Sequence, residues 1–222
     1  MLVYVVSPEI DAMTRRNVQA VLDNTTGEFE LRVFYNGGKP LALPNDPRIV
    51  GIYYSTPMSI AAAYNRAFSC ARGDTFACVH NDVEVPYGWN EALSAELEAG
   101  AGIAFPRPVE DAQECAARGI GTTQRGFPTG CCFMLSKALY ERLGGFDEAF
   151  EECHFEDTDL WMRAVDAGER LGRADVSVQH GRGKTRTLIG DRCNGAFHRN
   201  RLVYADKHRR EDGTVPIPTL GD

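Results

Sequence analysis

Four short apolar runs, Leu2–Val6, Leu31–Tyr35, Ile49–Tyr53 and Thr75–Val79, punctuate the first third of the chain, and the stretches between them constrain the fold most. Asp11–Leu22 places Met13, Val18, Val21 and Leu22 on one broad face and reads as a helix. Pro57–Arg72 reads as a second helix, with Pro57 suited to its first turn and Gly73 to its end. Ile60, Tyr64, Ala67 and Ala71 share its inner face. Strands joined through crossover helices pair in parallel and are covered on both sides, so they read as apolar throughout rather than alternating. Asn36-Gly37-Gly38 supplies a turn after the second run, and Pro40–Pro47 a proline-punctuated loop. The expected class is therefore α/β, a mainly parallel central sheet flanked by helices.

The second half is less regular. Gly102–Phe105 reads as a strand, and the Gly-, Pro- and charge-rich stretch Pro106–Pro128 as a long mobile loop with possible helix over Glu110–Arg118. Cys132–Leu135 reads as a strand, Ser136 as the cap of a helix Lys137–Leu143, and Gly144-Gly145 as its stop. Asp157–Ala167, ended by Gly168, is another helix, and Val176–Val178 a last strand. No repeat, linker or second domain is visible in the 222 residues, which suffice for one substantial core. Residues 1–222 thus read as a single domain.

Composition narrows the setting. No run approaches the ~18 apolar residues of a membrane span, and MLVYVVSPEI lacks the basic flank and full core of a signal peptide. Seven cysteines, an odd number with no C-x-x-C pair, read as reduced thiols, and the expected location is cytoplasmic. The chain carries a net charge of −7, yet nine Lys/Arg against two Asp/Glu fall between Gly181 and Arg210. That basic segment, within 181–222, serves either an anionic partner (a diphosphate, a phospholipid or a nucleic acid) or nothing beyond its own solvation.

Ligands of open parallel sheets lie beyond the carboxyl ends of the strands. Ser7 and Pro8, Tyr35 and Asn36, and the segment after Val79 are the positions that follow. In Val79-His80-Asn81-Asp82, an apolar strand runs into a polar cluster. A carboxylate there suits a hard divalent cation and the diphosphate it neutralises, although an Asx-type turn would use the same residues. Glu156 and Asp157 open a helix, where anions are favoured by roughly 0.3–1 kcal/mol; both general-base chemistry and plain capping call for acids there. His180 ends a strand ahead of Gly181-Arg182-Gly183-Lys184-Thr185, placing an imidazole and Lys184 within reach of phosphates, or serving structure alone. A P-loop is excluded because Val178 stands where its first glycine is needed.

Taken together, Val79–Trp89 (VHNDVEVPYGW), Gly130–Glu148 (GCCFMLSKALYERLGGFDE), Glu156–Arg163 (EDTDLWMR) and Val178-Gln179-His180-Gly181 resemble family 2 inverting glycosyltransferases of GT-A fold, in order and interval, over nearly the whole chain. The resemblance implies a Rossmann-like GT-A domain with a nucleotide-binding half over 1–105 and an acceptor and catalytic half over 129–180. It implies that Asp82 holds Mn²⁺ or Mg²⁺ and the donor diphosphate, and that His180 completes the metal shell. His80 stands where the family's metal motif often has its first aspartate and is a possible third ligand. Asp157 matches the family's catalytic base, and Glu156 the residue contacting the acceptor. Gly130 opens the segment lining the donor sugar, and Asn65 matches an asparagine that is either donor-binding or structural. An aspartate that often recognises the nucleoside is replaced by Tyr35, available for stacking, so uridine is the default nucleoside. The acceptor stays open among a glycan, a lipid carrier, a protein and a modified nucleic-acid base. A sugar nucleotidyltransferase would need a glycine-rich basic loop where Ser7-Pro8-Glu9-Ile10-Asp11 stands. A non-catalytic sugar-nucleotide- or glycan-binding module would not need Asp157.

Overall fold

The computed structural model describes residues 2–7, 11–37, 42–117, 123–124, 126–181 and 192–220. Its elements are β1 (Leu2–Ser7), α1 (Asp11–Asn24), β2 (Glu30–Asn36), β3 (Ile49–Tyr54), α2 (Ile60–Ser69), β4 (Thr75–Val79), β5 (Val83–Glu84), α3 (Trp89–Glu98), β6 (Ala101–Val109), α4 (Ala112–Ala117), β7 (Cys132–Ser136), α5 (Lys137–Arg142), α6 (Glu156–Asp166), β8 (Arg170–His180) and α7 (Arg192–His208). The eight strands form one sheet in the order β3-β2-β1-β4-β7-β6-β8-β5. β1, β2, β3 and β4 pair in parallel, as do β6 and β8. β7 is inserted antiparallel between β4 and β6, and β5 pairs antiparallel with β8. The sheet is therefore mixed, its parallel character concentrated in the first half.

Side chains that alternate along a strand point to opposite faces, and the core divides accordingly. Phe34, Phe76, Cys78, Phe133 and Leu135 meet Tyr64, Phe68, Tyr140 and Trp161 from α2, α5 and α6 on one face. Val33, Tyr35, Ala77, Val79, Cys132 and Met134 meet Val18 and Val21 of α1 and Trp89 and Leu93 of α3 on the other. Trp161 is fully buried, with edge contacts to Phe105 and Phe133 at ring centroid distances of 5.0 and 4.7 Å. Truncating such a residue to alanine costs about 3–5 kcal/mol.

Local signals set most boundaries. Ser136 accepts from the Leu139 amide at 3.1 Å and caps α5 as its sequence suggests. Gly144 and Gly145 follow α5 with φ of 79° and 74°, and Gly168 follows α6 with φ of 84°. The α2 boundary differs from expectation: Ser59 is the cap, accepting from Ala62 at 3.2 Å, so Pro57 precedes the helix rather than entering its first turn.

The loop expected over Pro106–Pro128 is in part regular. β6 continues through Pro106 and Pro108 to Val109, and α4 follows. Beyond Ala104 this strand pairs with β8 alone and carries a register shift between Phe105 and Arg107, which tolerates proline's missing N–H. The six described cysteines are unbridged. Among the described residues no helix is long and apolar enough to cross a membrane.

Candidate active site

The carboxyl ends of β4, β6 and β8 converge on a cleft of about 250 Å³ lined by Asn81, Asp82, Val109, Asp111, His180 and residues of α1. The turn at its base is held from α1. Asn17 is buried and donates to the carbonyls of His80, at 2.9 Å, and Val83. Asn81 Nδ2 lies 3.4 Å from Thr14 Oγ1, also buried. Asp82 closes the turn, its carbonyl accepting from Gly181 at 2.7 Å. Its side chain is 7% exposed, with Oδ1 3.8 Å from His180 Nε2.

The opposite ring nitrogen, His180 Nδ1, donates at 2.9 Å to Glu110 Oε1, a carboxylate 3% exposed at the end of β6. Burial opposes a charge on His180, but Cys131, Glu110 and Asp82 outweigh it and raise the imidazole to about 11. A divalent cation would take the Nε2 position in place of that proton. Two ligands each ~2.1 Å from one ion are at most about 4.2 Å apart, so the Asp82 and His180 pair fits a shared ion. Among the described residues no group of three or more His, Cys, Asp or Glu is arranged to hold one. His80 faces elsewhere: its Nε2 lies 2.7 Å from the Tyr64 hydroxyl, which also accepts from Cys78 at 3.2 Å. Burial holds His80 below the usual imidazole value, with Asp82 and Asp157 pulling the other way.

Cys131 connects this cleft to the start of α6. Its carbonyl accepts from the His80 amide at 2.8 Å, and the preceding Gly130 lies against Asp157. A Cβ on Gly130 would sit inside contact distance of Asp157 Oδ2 and 3.1 Å from Asp157 Cβ, so glycine lets the carboxylate approach. Asp157 Oδ1 accepts from the Thr158 amide at 2.6 Å and hydroxyl at 3.1 Å. Asp157 is half-buried, and Glu156 beside it is 7% exposed. The turn entering α6 is strained: Glu152, His154 and Phe155 have φ of 56°, 79° and 70°, uncommon for residues with a Cβ. Asn200 of α7 is buried under that turn, and its amide nitrogen donates to the carbonyls of Glu151, Cys153 and His154 at 2.8–2.9 Å.

Several expected donor contacts have other employment. Tyr35 is 4% exposed and packed in the core between the sheet and α1, which leaves no ring face for a base. Asn36 exchanges hydrogen bonds with the backbone of Met58, both at 2.8 Å. Asn65 is structural: it donates to Phe146 O and Glu148 Oε1 at 2.9 Å and accepts from the Phe146 amide and the Tyr140 hydroxyl. Ser7 ends β1 opposite Tyr35 of β2. Pro8 and Lys184 lie outside the described residues. Helix α7, within the basic segment, turns two of its cations to this chain's own acids: Lys207 reaches Asp147 at 2.6 Å and Asp159 at 2.9 Å, and Arg199 reaches Glu151 at 3.5 Å.

Glu110, Thr14, Asn17 and Asn200 did not stand out in the sequence. Glu110-Asp111 repeats the strand-end acid signature of Asp82, hidden because Pro106 seemed to end the strand. Asn17 falls midway between Met13 and Val21 on the apolar stripe of α1, where a polar residue signals a specific partner.

The sequence matches glycosyl transferase family 2 over residues 12–162. It is 26% identical over 159 residues to the O-antigen biosynthesis protein RfbC of Myxococcus xanthus, an alignment covering 57% of this chain and 12% of that protein. The fold is similar to a crystal structure of GalNAc-T7 with UDP, GalNAc and Mn²⁺ (TM-score 0.66, 14% identity, 81% of this chain and 43% of that one). It is also similar to S. aureus TarS 1–349 (0.60, 13%, 82% and 60%). A third likeness is to the mannosyltransferase PcManGT of Pyrobaculum calidifontis in complex with GDP-Man and Mn²⁺ (0.58, 16%, 82% and 57%). The chain thus spans less than two thirds of each of these proteins.

Proposed function

The chain belongs to glycosyl transferase family 2, and from that premise we propose that it transfers a sugar, with inversion, from a nucleoside diphosphate to an acceptor hydroxyl. The observation that carries the reading is the meeting of three segments around Gly130-Cys131: the turn holding Asp82, the end of β8 holding His180, and the start of α6 holding Asp157. A metal-ligating pair and a half-buried carboxylate within one site are what a single displacement at an anomeric carbon requires.

In this reading Asp82 and His180 would hold a divalent cation, Mn²⁺ or Mg²⁺, when the donor is bound. The ion supplies charge compensation for the departing nucleoside diphosphate. Asp157 takes the proton from the attacking hydroxyl, which approaches the face of the sugar opposite the leaving group. Gly130 lets the Asp157 carboxylate close on the site, and the strained turn 152–155 with Asn200 beneath it fixes the entry to α6. Residues 1–105 serve the donor and residues 129–180 the catalytic and acceptor side of one domain. The Mn²⁺ and the UDP and GDP-sugar bound by two structural neighbours support the donor class, with UDP-sugars the first to try.

The test is a thermal-shift screen of UDP- and GDP-sugars with and without Mn²⁺ or Mg²⁺, followed by nucleotide-release assays on the donors that stabilise the chain. A donor shift that depends on metal and disappears in Asp82→Ala is expected. A metal-independent shift, or none with any nucleotide sugar, overturns the reading.

A further inference from the structure

Glu110 has no part in the sheet or in either core cluster, yet its carboxylate is 3% exposed at the junction of β6 and β8. Burying a carboxylate is costly unless its oxygens are occupied, and these are. Oε1 accepts from the Thr123 hydroxyl at 2.7 Å and from His180 Nδ1 at 2.9 Å, while Oε2 accepts from the Thr123 amide at 2.5 Å. The pairing of Val109 with Gln179 puts Glu110 beside His180 at the ends of adjacent strands. An ionised carboxylate only accepts, so the Nδ1 it faces carries a proton, and Nε2 is the nitrogen turned toward Asp82 Oδ1 at 3.8 Å.

Resting on the reading of Asp82 and His180 as the metal ligands, we propose that Glu110 is the positioning residue of the metal site, holding His180 with Nδ1 protonated and Nε2 aimed at the ion, with Thr123 fixing Glu110 in turn. A carboxylate behind a ligating imidazole fixes the tautomer and ring orientation and makes the nitrogen a better donor to a cation. An apolar residue at 110 would leave the ring to rotate and exchange its two nitrogens. The two hydrogen bonds from Thr123 prevent Glu110 itself from turning away.

The experiment is Mn²⁺ affinity at one fixed pH, by calorimetry on the full chain, with Mn²⁺ alone and then with UDP present. Glu110→Ala is expected to weaken Mn²⁺ by about 10–100-fold, the usual effect of losing such a partner. Glu110→Gln, which keeps one acceptor for Nδ1 but not the full Thr123 pairing, loses several-fold and serves where the alanine variant does not fold. On a His180→Ala background, Glu110→Ala costs nothing further, because its effect passes through the ring. If the parent binds Mn²⁺ under neither condition, the metal reading falls and this inference with it. If His180→Ala abolishes binding while both Glu110 variants stay within two-fold of the parent, only the inference is overturned. Additive losses in the double variant overturn it as well.

Discussion

Asp157 and Asp159 lie two residues apart in the first turn of α6 and look into different regions of the molecule. Toward the cleft, Asp157 is half-buried, its Oδ1 bonded to Thr158 of its own helix and its Oδ2 against Gly130. Toward α7, Asp159 is 0% exposed and saturated: Arg163 Nε at 2.8 Å on Oδ2, Lys207 at 2.9 Å and His208 Nε2 at 2.8 Å on Oδ1. Arg163 extends the network to the carbonyls of Leu143 and Gly145, at 2.6 and 2.8 Å. A carboxylate surrounded by donors on every side is an anchor, since nothing further can reach it. A carboxylate with one oxygen held by its own helix and the other against a glycine is open to a ligand in a way that Asp159 is not. In the proposed mechanism the same residue type in one motif serves chemistry on one side of the helix and assembly on the other.

The sharpest way to break this division is Asp157→Asn. Asparagine keeps the oxygen that accepts from Thr158 but cannot take a proton, so transfer should fall roughly 10²–10⁴-fold while folding is unchanged. Donor affinity should barely move, because the loss is felt in the transition state. Nucleotide release from a working donor, with binding measured in parallel, reads both. Activity within a few-fold of the parent would remove Asp157 from the chemistry.

Asp159→Asn probes the other side. Removing one partner from a buried charge network costs about 3–5 kcal/mol, here because Arg163 and Lys207 lose their common counter-ion. Urea unfolding should show that loss, while the fraction still folded retains its donor affinity. The division fails if Asp159→Asn is stable but inactive.

Half of this contrast was legible in the sequence. The EDTD segment at a helix start announced acids, and flanking Leu160 and Trp161 announced the buried face. Which acid would be saturated depended on α7, which the sequence concealed. Its buried stripe is Ala196, Asn200, Tyr204 and His208, a correct helical period carried by two residues that hydropathy counts as polar. The fold followed the same rule. β1 to β4 and α2 were readable as apolar runs bounded by turn residues. α3 escaped because only Trp89, Asn90 and Leu93 are buried and Gly88, with φ of 74°, gives no side-chain cap. β5 is two residues long, defined only by its partner β8. In the site, Asp82, His180, Asp157 and Gly130 converge as the motif order suggested. Tyr35, Asn36 and Asn65 show why the sequence alone left such roles open: a residue beyond a strand or on a helix can as easily brace its neighbours as face a ligand.

Asn200→Ala tests whether the two sides of α6 communicate. The amide of Asn200 belongs to the anchoring helix α7 but holds the carbonyls of the strained turn that leads to Asp157. Its loss leaves buried carbonyls short of donors, a cost of about 1–3 kcal/mol in unfolding. A fall in nucleotide release larger than that in donor binding is expected if the turn sets the Asp157 position. A stability loss with turnover intact would make α7 an anchor alone and separate the two regions fully.

The smallest expected effect concerns Asp147, which joins the anchoring side from the loop after α5. Burial works to raise its carboxyl, but the Lys207 ammonium, the Ala149 amide and Arg163 outweigh it and hold the group below the usual carboxylate value. A carboxyl depressed in the folded state adds stability above its unfolded value, ~3.9, and loses that contribution as pH falls through the lower folded value. With the side chain 33% exposed, screening by solvent limits the effect to less than about 1 kcal/mol. Asp147→Asn should therefore be slightly less stable than the parent at pH 7, and the gap should close as pH falls below ~3.9, where the parent carboxyl takes up its proton. Paired urea titrations at pH 7 and pH 3 measure it. Asparagine keeps an oxygen for the Ala149 amide, which donates to Asp147 at 2.9 Å, so a gap that stays constant would mean that the charge of Asp147 adds nothing to the anchoring of α7.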